Sequence, residues 1–367
     1  MIEKKILFVL HLPPPVHGAA MMGQYIKDST VINSEFECRY INITTASDLK
    51  EKKSGKVRKL GKLFKLFREV RRGVKEFEPD LVYVTPNAKG ASFLFKEFPI
   101  VQMVKRMGRK VIVHYHNKGV SKWQDNPIFN LIYKRFFKGI KVILLSELLY
   151  PDISKYVKRE DVFICPNGIP DAKTPVKVER NNEVPRLLFL SNLLESKGVL
   201  VLLDACKILK EKGYKFVCDF VGAETTEINA TRFNNEIADR GLSDCVLYLG
   251  KKYGREKEDI LNKDDIFVFP TFYSNECFPL VVEEAMQHGM PIISTMEGAI
   301  SDMVVNNYNG YIVPAKSAKE LSEAILKLLN DVELRISMGR NSIELYERKY
   351  RLAIFETNML KCLKGGL

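Results

Sequence analysis

The sequence predicts an α/β protein built from two doubly wound parallel-sheet domains. Short runs rich in Val, Ile, Leu and Phe alternate with helix-length segments of apolar periodicity, and the connections between them are short. The alternation stops at a polar, proline-bearing stretch, residues 171–185, and then restarts. A chain of 367 residues is also long enough to bury two separate cores.

Each domain is expected to contribute six strands. In the first half the strand-like runs are 4–10, 37–43, 80–84, 110–113, 141–145 and 162–165. In the second half they are 186–190, 216–221, 246–249, 266–269, 291–294 and 310–313. The last segment, 332–363, has a helical pattern and is long enough to reach back across the first domain. We therefore predict domains at 1–170 and 171–339, with a helix from about 340 to 367 packing back on the first.

Composition places the chain among folded proteins of a reducing compartment. It is 46% hydrophobic and 28% charged, and it has no run of about 18 apolar residues that would predict a membrane-spanning helix. The apolar run near the start ends at Pro13–Pro15, which favours a first strand over a signal peptide. Seven cysteines without a CxxC pair favour the cytoplasm and argue against a disulfide framework or a zinc site.

The charge is unevenly distributed between the two halves. Residues 1–165 hold 31 Lys and Arg against 16 Asp and Glu, a net +15, whereas residues 166–367 hold 26 against 29, a net −3. This asymmetry predicts an anionic partner for the first half. This anionic partner could be nucleic acid, an acidic membrane surface or an acidic polymer.

The most basic segment, residues 50–75, predicts an amphipathic helix with a cationic polar face. Its predicted apolar stripe comprises Leu60, Leu63, Phe64, Phe67, Val70 and Val74. The helix could cover the core of the first domain with its charges in solvent. Alternatively it could lie against anionic lipid, where each basic residue near the surface contributes about 1 kcal/mol.

Two features of the first half lie where strands end. The loop after the first strand carries Gly18, and a small residue there permits either close approach of a ligand or simply a tight connection. The strand at 110–113 leads into His114, Tyr115 and His116. Alternation places the two histidines on one side, at the sheet edge where ligands bind in this fold class.

The segment 270–293, PTFYSNECFPLVVEEAMQHGMPII, carries the most specific pattern. It follows a buried strand and opens a helix, an arrangement that receives anionic ligands. It resembles the signature of retaining glycosyltransferases of family 4 (group 1), in which Glu, seven residues and Glu occur in this context; here these are Glu276 and Glu284. The resemblance implies the GT-B architecture, with two Rossmann-like domains facing across a cleft.

Other segments support the same resemblance. SNLLESKG, residues 191–198, resembles the family's phosphate-binding loop at Lys197 and Gly198, but Asn192 stands where many members have arginine. Phe278 and Pro279 follow Cys277 where many members have Gly-Phe-Gly. Since Pro279 has no N–H, a backbone contact to a diphosphate there must use Phe278 or Leu280. PPPVHGAA and PNGI, residues 13–20 and 166–169, resemble the loop of the first domain under the donor and the exit between domains.

The resemblance also implies a role for each site residue. Lys197 and the backbone N–H groups near Leu280 would neutralise the leaving diphosphate, and Glu284 would bind the ribose hydroxyls. Glu276 would contact the transferred sugar or orient the site, and His116 would be the catalytic histidine of the cleft. Gly18, Asn192, Gly222 and Lys251 complete the expected donor site, with base recognition near residues 250–253. Glu283 is expected to be an ordinary helix residue, and both signature glutamates could instead be a helix cap and a surface charge.

The expected function is transfer of a sugar from a UDP- or GDP-sugar to a glycan or lipid-linked glycan in cell-surface polysaccharide synthesis. We expect no metal ion or other cofactor, and the chain has no DxD sequence. The expected location is the cytoplasm, peripheral on the inner face of the cell membrane, with the anionic membrane contacted through residues 50–75. Two alternatives are a nucleotide-sugar epimerase or hydrolase of the same fold and a non-catalytic basic protein that binds nucleic acid.

Overall fold

The chain folds into two compact units, each with its own parallel sheet. The computed structural model describes residues 4–44, 56–180 and 182–367. The first unit comprises Met1–Gly168 and Leu352–Leu367, and the second comprises Ile169–Arg351. Each unit holds a six-stranded sheet in which every neighbouring pair is parallel. The predicted class, two parallel-sheet α/β domains, is therefore confirmed.

The sheet of the first unit has the order β2-β1-β3-β4-β5-β6. Its strands are β1 Lys5–Leu10, β2 Glu37–Asn42, β3 Leu81–Val84, β4 Lys110–His114, β5 Lys141–Leu144 and β6 Val162–Ile164. Every residue of β3 is buried. A parallel sheet covered by helices on both faces requires such continuous apolar runs, which is why the sequence located all six strands to within two residues.

The helices of the first unit lie on both faces of this sheet. Those in residues 4–168 are α1 Gly18–Asp28, α2 Thr30–Glu35, α3 Lys56–Phe77, α4 Gly90–Ser92, α5 Phe98–Arg106 and α6 Pro127–Phe137, and one more helix comes from the end of the chain. A π-helical turn, Phe93–Glu97, joins α4 to α5, and 3₁₀ turns occupy Ser121–Trp123, Glu147–Asp152 and Arg159–Asp161. The connections β2–β3, β3–β4 and β4–β5 advance in the same direction, so right-handed crossovers put α3, α5 and α6 on one face.

Helix α3 departs from the predicted apolar stripe. Val70 and Val74 are buried as expected, but Leu60 and Phe64 are 64% and 71% exposed. Leu66 and Phe77 complete the core contact instead. The buried stripe is displaced around the helix, because packing against the sheet selects one of two adjacent apolar stripes. Residues 50–55 of the predicted basic segment lie outside the described residues.

The second unit repeats the architecture with the sheet order β12-β11-β10-β7-β8-β9. Its strands are β7 Arg186–Leu190, β8 Val217–Val221, β9 Val246–Gly250, β10 Ile266–Phe269, β11 Ile292–Ser294 and β12 Gly310–Ile312. Its helices are α7 Val199–Glu211, α8 Ala230–Asp239, α9 Gly254–Lys263, α10 Leu280–Gln287, α11 Ile300–Met303, α12 Ala318–Asn330 and α13 Val332–Lys349, with a 3₁₀ turn at Glu195–Lys197. Within the described residues, no helix is both long enough and apolar enough to cross a bilayer.

The return to the first unit occurs later than the sequence pattern indicated. The segment expected to form one helical stretch from 332 is two helices, α13 and α14 Leu352–Gly366. Helix α13 packs on α10 and α12 of the second unit, whereas α14 packs on α2 and β4 of the first. Between them, the Tyr350 carbonyl accepts a hydrogen bond of 3.0 Å from the Ile169 N–H. The boundary therefore lies between residues 351 and 352, and the expected boundary near 340 was wrong.

A buried charge cluster links three strands or their ends in the second sheet. The Arg186 guanidinium pairs with Asp219 on β8 and donates at 3.0 Å to Asp264, which precedes β10. Burial and the negative charge of Asp219 raise the pKa of the Asp264 carboxyl. Arg186 opposes both effects, so the two carboxylates depend on this one cation.

We predict that Arg186→Ala lowers the free energy of unfolding by about 3 kcal/mol, because two buried carboxyls lose their counter-charge. Chemical denaturation followed by circular dichroism measures the loss. Arg340→Ala is the control, because the Arg340–Glu179 pair is exposed on both sides and should cost less than about 1 kcal/mol. Equal losses in the two variants would contradict the importance given to the buried cluster.

Candidate active site

Two loops at the carboxyl edge of the second sheet are docked on each other. The loop after β7, residues 191–198, contacts the loop after β10, residues 270–279. The Phe272 N–H donates to the Ser196 carbonyl at 2.8 Å. Gly198 has φ of +85°, and a Cβ there would lie 2.2 Å from the Pro270 carbonyl oxygen. Glycine at position 198 is therefore required both by the backbone conformation and by the close contact.

The docked loops bring Lys197 and Glu276 together. The Lys197 Nζ donates to Glu276 Oε2 at 2.5 Å, and both side chains are largely buried. Thr271 Oγ1 donates to the same carboxylate oxygen at 3.5 Å. The Lys197 ammonium also lies 4.6 Å from the centre of the Tyr273 ring, an attractive cation–π distance. Lys197 and Glu276 are thus direct partners, a contact that the separate roles expected from the sequence did not include.

The amino end of α10 opens at the same loop. Leu280 is its first residue, and the N-cap Pro279 supplies no side-chain hydrogen bond to the first turn. The Phe278 side chain is buried, with its ring centre 5.6 Å from that of Tyr350. The buried Phe278 side chain therefore anchors the turn. The Phe278 backbone lies just before the N-cap of α10. An eight-residue helix without a side-chain cap presents backbone N–H groups and a partial positive charge to an anion.

A third loop, which sequence reasoning missed, supports Glu276 from behind. Gly298 has φ of +62°, and a Cβ there would lie 2.6 Å from the carbonyl oxygens of Glu276 and Cys277. The Ala299 N–H donates to the Cys277 carbonyl at 2.7 Å. The feature of the sequence that could have indicated this contact is the Gly298–Ala299 dipeptide after β11, because small residues allow two backbones to approach closely.

Glu284 and Glu283 occupy different environments on α10. Glu284 Oε1 accepts a hydrogen bond from the Lys257 Nζ of α9 at 2.7 Å. Glu283 is fully buried, and neither of its carboxyl oxygens has a hydrogen-bond partner among the described residues. Burial and, secondarily, the charge of Glu284 raise the pKa of Glu283 well above its ordinary value. Glu283 is thus a buried core residue, which differs from the expectation of an ordinary helix position.

The remaining residues expected at the donor site follow other strands of the second sheet. Asn192, after β7, is exposed. Gly222 follows β8, where a Cβ would lie 1.7 Å from the Ser191 carbonyl oxygen, so this glycine has a packing role. Lys251 follows β9, with its Nζ 4.6 Å from the centre of the Tyr253 ring. All three follow carboxyl ends of strands in the second sheet, the edge at which ligands bind in this fold class.

His116 belongs to the first unit, and its neighbour His114 is a structural residue. His114 is fully buried, and its Nδ1 is 2.7 Å from the Tyr83 hydroxyl. The ring centres of His114 and His116 are 4.2 Å apart, which confirms that both lie on one side of the strand. His116 Nε2 is buried without a hydrogen-bond partner among the described residues. His114 Nε2 is likewise buried without a partner among the described residues, so each histidine retains an unused ring nitrogen at the strand end.

Two further histidines, which sequence reasoning did not select, lie in the same region. His11 follows β1, and its ring centre is 5.7 Å from that of His17, the N-cap residue of α1. Burial, with a smaller contribution from His17, lowers the pKa of His116 to about 3. Burial and then Lys96 lower the pKa of His11 to about 3. At neutral pH both rings are uncharged, so each can donate or accept a hydrogen bond but cannot neutralise an anion.

Gly18 is the first residue of α1, directly after His17, rather than a loop residue. It is exposed, and the His17 side chain caps the helix by accepting from the Ala20 N–H at 3.3 Å. The geometry of this turn is therefore compatible both with close approach of a ligand and with a simple tight connection between β1 and α1. Within the described residues, no group of three or more His, Cys, Asp or Glu side chains is arranged to hold a metal ion.

We predict that Gly198→Ala destabilises the second unit by about 3 kcal/mol or more, since the added methyl strains φ and overlaps Pro270. Gly213→Ala is the matched control, because Gly213 also has positive φ but open space around it; its cost should be about 1 kcal/mol. Chemical denaturation gives both values. Equal costs would show that the loops are not held together at Pro270.

Comparisons with known proteins connect the candidate site of the second unit to one family. The family model described as glycosyl transferases group 1 matches residues 171–345, which include both docked loops and α10. The amylovoran biosynthesis glycosyltransferase AmsK of Erwinia amylovora is 28% identical over 262 residues, 69% of this chain and 62% of that protein. A Campylobacter jejuni N,N'-diacetylbacillosaminyl-diphospho-undecaprenol alpha-1,3-N-acetylgalactosaminyltransferase is 32% identical over 161 residues, 44% of this chain and 39% of its own. The matches thus span less than two-thirds of either relative.

A solved structure extends the likeness of fold over the whole chain. Anabaena Alr3699/HepE in complex with UDP superposes with a TM-score of 0.73 and 15% identity, covering 99% of this chain and 100% of that one. At this identity the likeness concerns the fold alone. The chain thus has the GT-B fold, and within it residues 171–345 resemble the glycosyl transferases group 1 family.

Proposed function

We propose that the protein is a retaining, metal-independent glycosyltransferase that moves a sugar from a UDP- or GDP-sugar to a glycan or lipid-linked glycan. The observation that carries the proposal is the convergence of Lys197, Glu276 and the uncapped start of α10 at one edge of the second sheet. The relatives' names support a role in cell-surface polysaccharide synthesis. The HepE structures with UDP and UDP-glucose support a nucleotide-sugar donor.

The diphosphate of the donor would bind at the start of α10. The free N–H groups of the first turn, near Leu280, suit phosphate oxygens without any side-chain charge. Lys197 adds a cation beside them. Its ammonium group has three N–H donors and gives one to Glu276, which leaves two for phosphate oxygens. Glu276 thus orients Lys197, and its carboxylate would also face the transferred sugar.

Glu284 would bind the ribose of the nucleotide. A carboxylate suits a vicinal diol, because it can accept hydrogen bonds from both hydroxyls. Lys257 engages Oε1 of Glu284 at 2.7 Å and so fixes the orientation of the carboxylate. The base would lie near residues 250–253, where Lys251 and Tyr253 stack. Asn192 and Gly222, after the neighbouring strands, would border the same site.

The proposal for the first unit concerns His116 and the turn at Gly18. A neutral His116 with an unused Nε2 suits a hydrogen bond to a sugar hydroxyl. In the proposed front-face transfer, the bond from the anomeric carbon to the diphosphate breaks as the bond to the acceptor oxygen forms. The acceptor proton passes to the departing phosphate oxygen. Lys197 and the α10 N–H groups stabilise the charge that develops on the diphosphate.

We predict that Glu284→Ala and Lys197→Ala each weaken binding of UDP or GDP by about tenfold to a hundredfold, the range for losing a charged hydrogen bond. Isothermal titration with each nucleotide measures the loss. Glu256→Ala is the control, because Glu256 is an exposed residue of α9 paired only with Lys252 in the described structure.

Since Lys197→Ala leaves Glu276 largely buried without its partner, the double variant Lys197→Ala, Glu276→Gln separates folding from binding. Unchanged binding in both single variants would refute the donor site. Release of free sugar from the donor without any acceptor would favour a hydrolase on the same site.

We also propose that α3 attaches the protein to an anionic membrane on its cytoplasmic face. Lys65, Arg68, Arg71 and Lys75 are exposed on this helix. Leu60 and Phe64, which the core does not use, are exposed beside them. A helix with cations on its polar face and free apolar side chains matches the pattern of interfacial helices.

We predict that changing those four cations to glutamate releases the protein from vesicles containing anionic lipid, because each cation near the surface contributes about 1 kcal/mol. Co-sedimentation measures the bound fraction. The charge-matched control changes four exposed lysines of the second unit to glutamate, namely Lys207, Lys215, Lys319 and Lys349. Equal release by both variants would mean that net charge alone, not α3, causes attachment.

A further inference from the structure

The two helices α5 and α6 enclose a groove with a volume of about 660 Å³. This volume is within the range of small-molecule sites. Its walls combine apolar and cationic side chains, namely Phe98, Met103, Lys105, Arg106, Arg135 and Lys138. No acidic residue lines it. The groove lies on the helix layer of the first unit rather than at the strand edge that carries His116.

One of the four cations has a structural role. The Lys105 Nζ donates to the carbonyl oxygens of Arg135 at 2.9 Å and Lys138 at 2.6 Å, at the end of α6. Gln102 adds a hydrogen bond of 3.2 Å to the Arg135 carbonyl. These bonds fix the spacing of α5 and α6. Burial and the charge of Lys138 lower the pKa of Lys105, as expected for a cation placed among others.

The other three cations have no such role. Arg106, Arg135 and Lys138 are exposed, and none of them forms an ion pair with a described residue. Like charges that line one groove repel each other, and they raise the local potential toward anions. The groove is therefore suited to a ligand that brings negative charge, such as a phosphate group.

The exposed stripe of α6 indicates where that phosphate comes from. Ile128, Leu131, Arg135 and Lys138 follow each other at spacings of three, four and three, which places them on one side of the helix. Ile128 and Leu131 are 69% and 55% exposed. A soluble phosphate compound would not account for apolar side chains beside the cations, whereas a bilayer interface accommodates both.

We propose that the α5–α6 groove holds the phosphate of an anionic phospholipid headgroup while Ile128 and Leu131 enter the bilayer interface. This is a second attachment point beside α3, and α5 packs against both α3 and α6. The inference rests on the proposed function only in that both place the protein at a membrane. Two separated contacts on one face fix the orientation of the first unit, which a single helix cannot do.

Trp123 provides a direct signal for α6. It is the only tryptophan of the chain, is 40% exposed, and its ring centre lies 4.7 Å from that of Phe129 on α6. With vesicles of phosphatidylcholine containing about 30% phosphatidylglycerol, we expect the Trp123 emission to shift to shorter wavelength. With phosphatidylcholine alone, we expect no shift. An unshifted spectrum on bound anionic vesicles would overturn the proposal.

The triple variant Arg106→Ala, Arg135→Ala, Lys138→Ala should bind those anionic vesicles at least about tenfold more weakly, because three surface cations are lost. The matched control is Lys27→Ala, Lys319→Ala, Lys361→Ala, three exposed lysines outside the α3–α5–α6 face. It removes the same net charge and should change the affinity by less than about twofold. Equal weakening of vesicle binding in the two variants, or no weakening in the Arg106, Arg135, Lys138 variant, would overturn the proposal that the groove binds a lipid headgroup.

A further variant separates lipid from other anions. Ile128→Ser, Leu131→Ser keeps every cation and should weaken vesicle binding and reduce the Trp123 shift. If the cation variant instead loses affinity for duplex DNA while vesicle binding is unchanged, the groove serves nucleic acid and the proposal fails. UDP and GDP titrations should be the same in all three variants. A protein that binds neither nucleotide would refute the donor site and leave the vesicle measurements valid.

Discussion

The docking of the 191–198 loop on the 270–279 loop is the constraint on which the site of the second unit depends. Gly198 allows the loops to touch at Pro270, and only then can the Lys197 ammonium reach Glu276. A largely buried ion pair adds little net stability, because desolvation offsets the attraction. Its value lies in orientation: each partner is held where a ligand would meet it, before the ligand arrives. Loss of the loop contact would therefore disorganise the charges as well as the backbone.

Much of the fold could be predicted from the sequence, since a parallel strand buried on both faces must be apolar throughout. All twelve strands lie within two residues of their expected positions. The predictions that were wrong concern features that tertiary packing determines. Periodicity allowed two adjacent stripes on α3, and the core selected the one with Leu66 and Phe77. It likewise could not detect the break at Tyr350–Arg351, because both sides of the break are helical.

The site was predictable where one segment carries the pattern and unpredictable where partners come from elsewhere. Glu276 and Glu284 follow from their spacing and context, but Lys257 lies 27 residues from Glu284 and on another helix. The neighbours of His116 depend on strand order, which brings His11 from β1 close to the end of β4 although β3 lies between them. Glu283 and Glu284 are adjacent residues of the same type, so the sequence alone does not distinguish their environments. Only the position of the core buries Glu283, which raises its pKa, and leaves Glu284 paired with Lys257.

The two units are suited to bind anions by opposite means. The second unit, residues 169–351, holds 24 Lys and Arg against 28 Asp and Glu, a net charge of −4, so it would hold an anion through local geometry, with Lys197 fixed by Glu276 and N–H groups at the start of α10. The first unit has a large positive excess, and Arg106, Arg135 and Lys138 form no ion pair with a described residue, so this unit would attract anions through a broad positive field. That field decays over a Debye length of about 10 Å at 0.1 M salt, which limits it to surfaces already close by. A local site suits a small ligand that must leave after each turnover, whereas a field spread over one face suits an extended surface to which the protein stays attached.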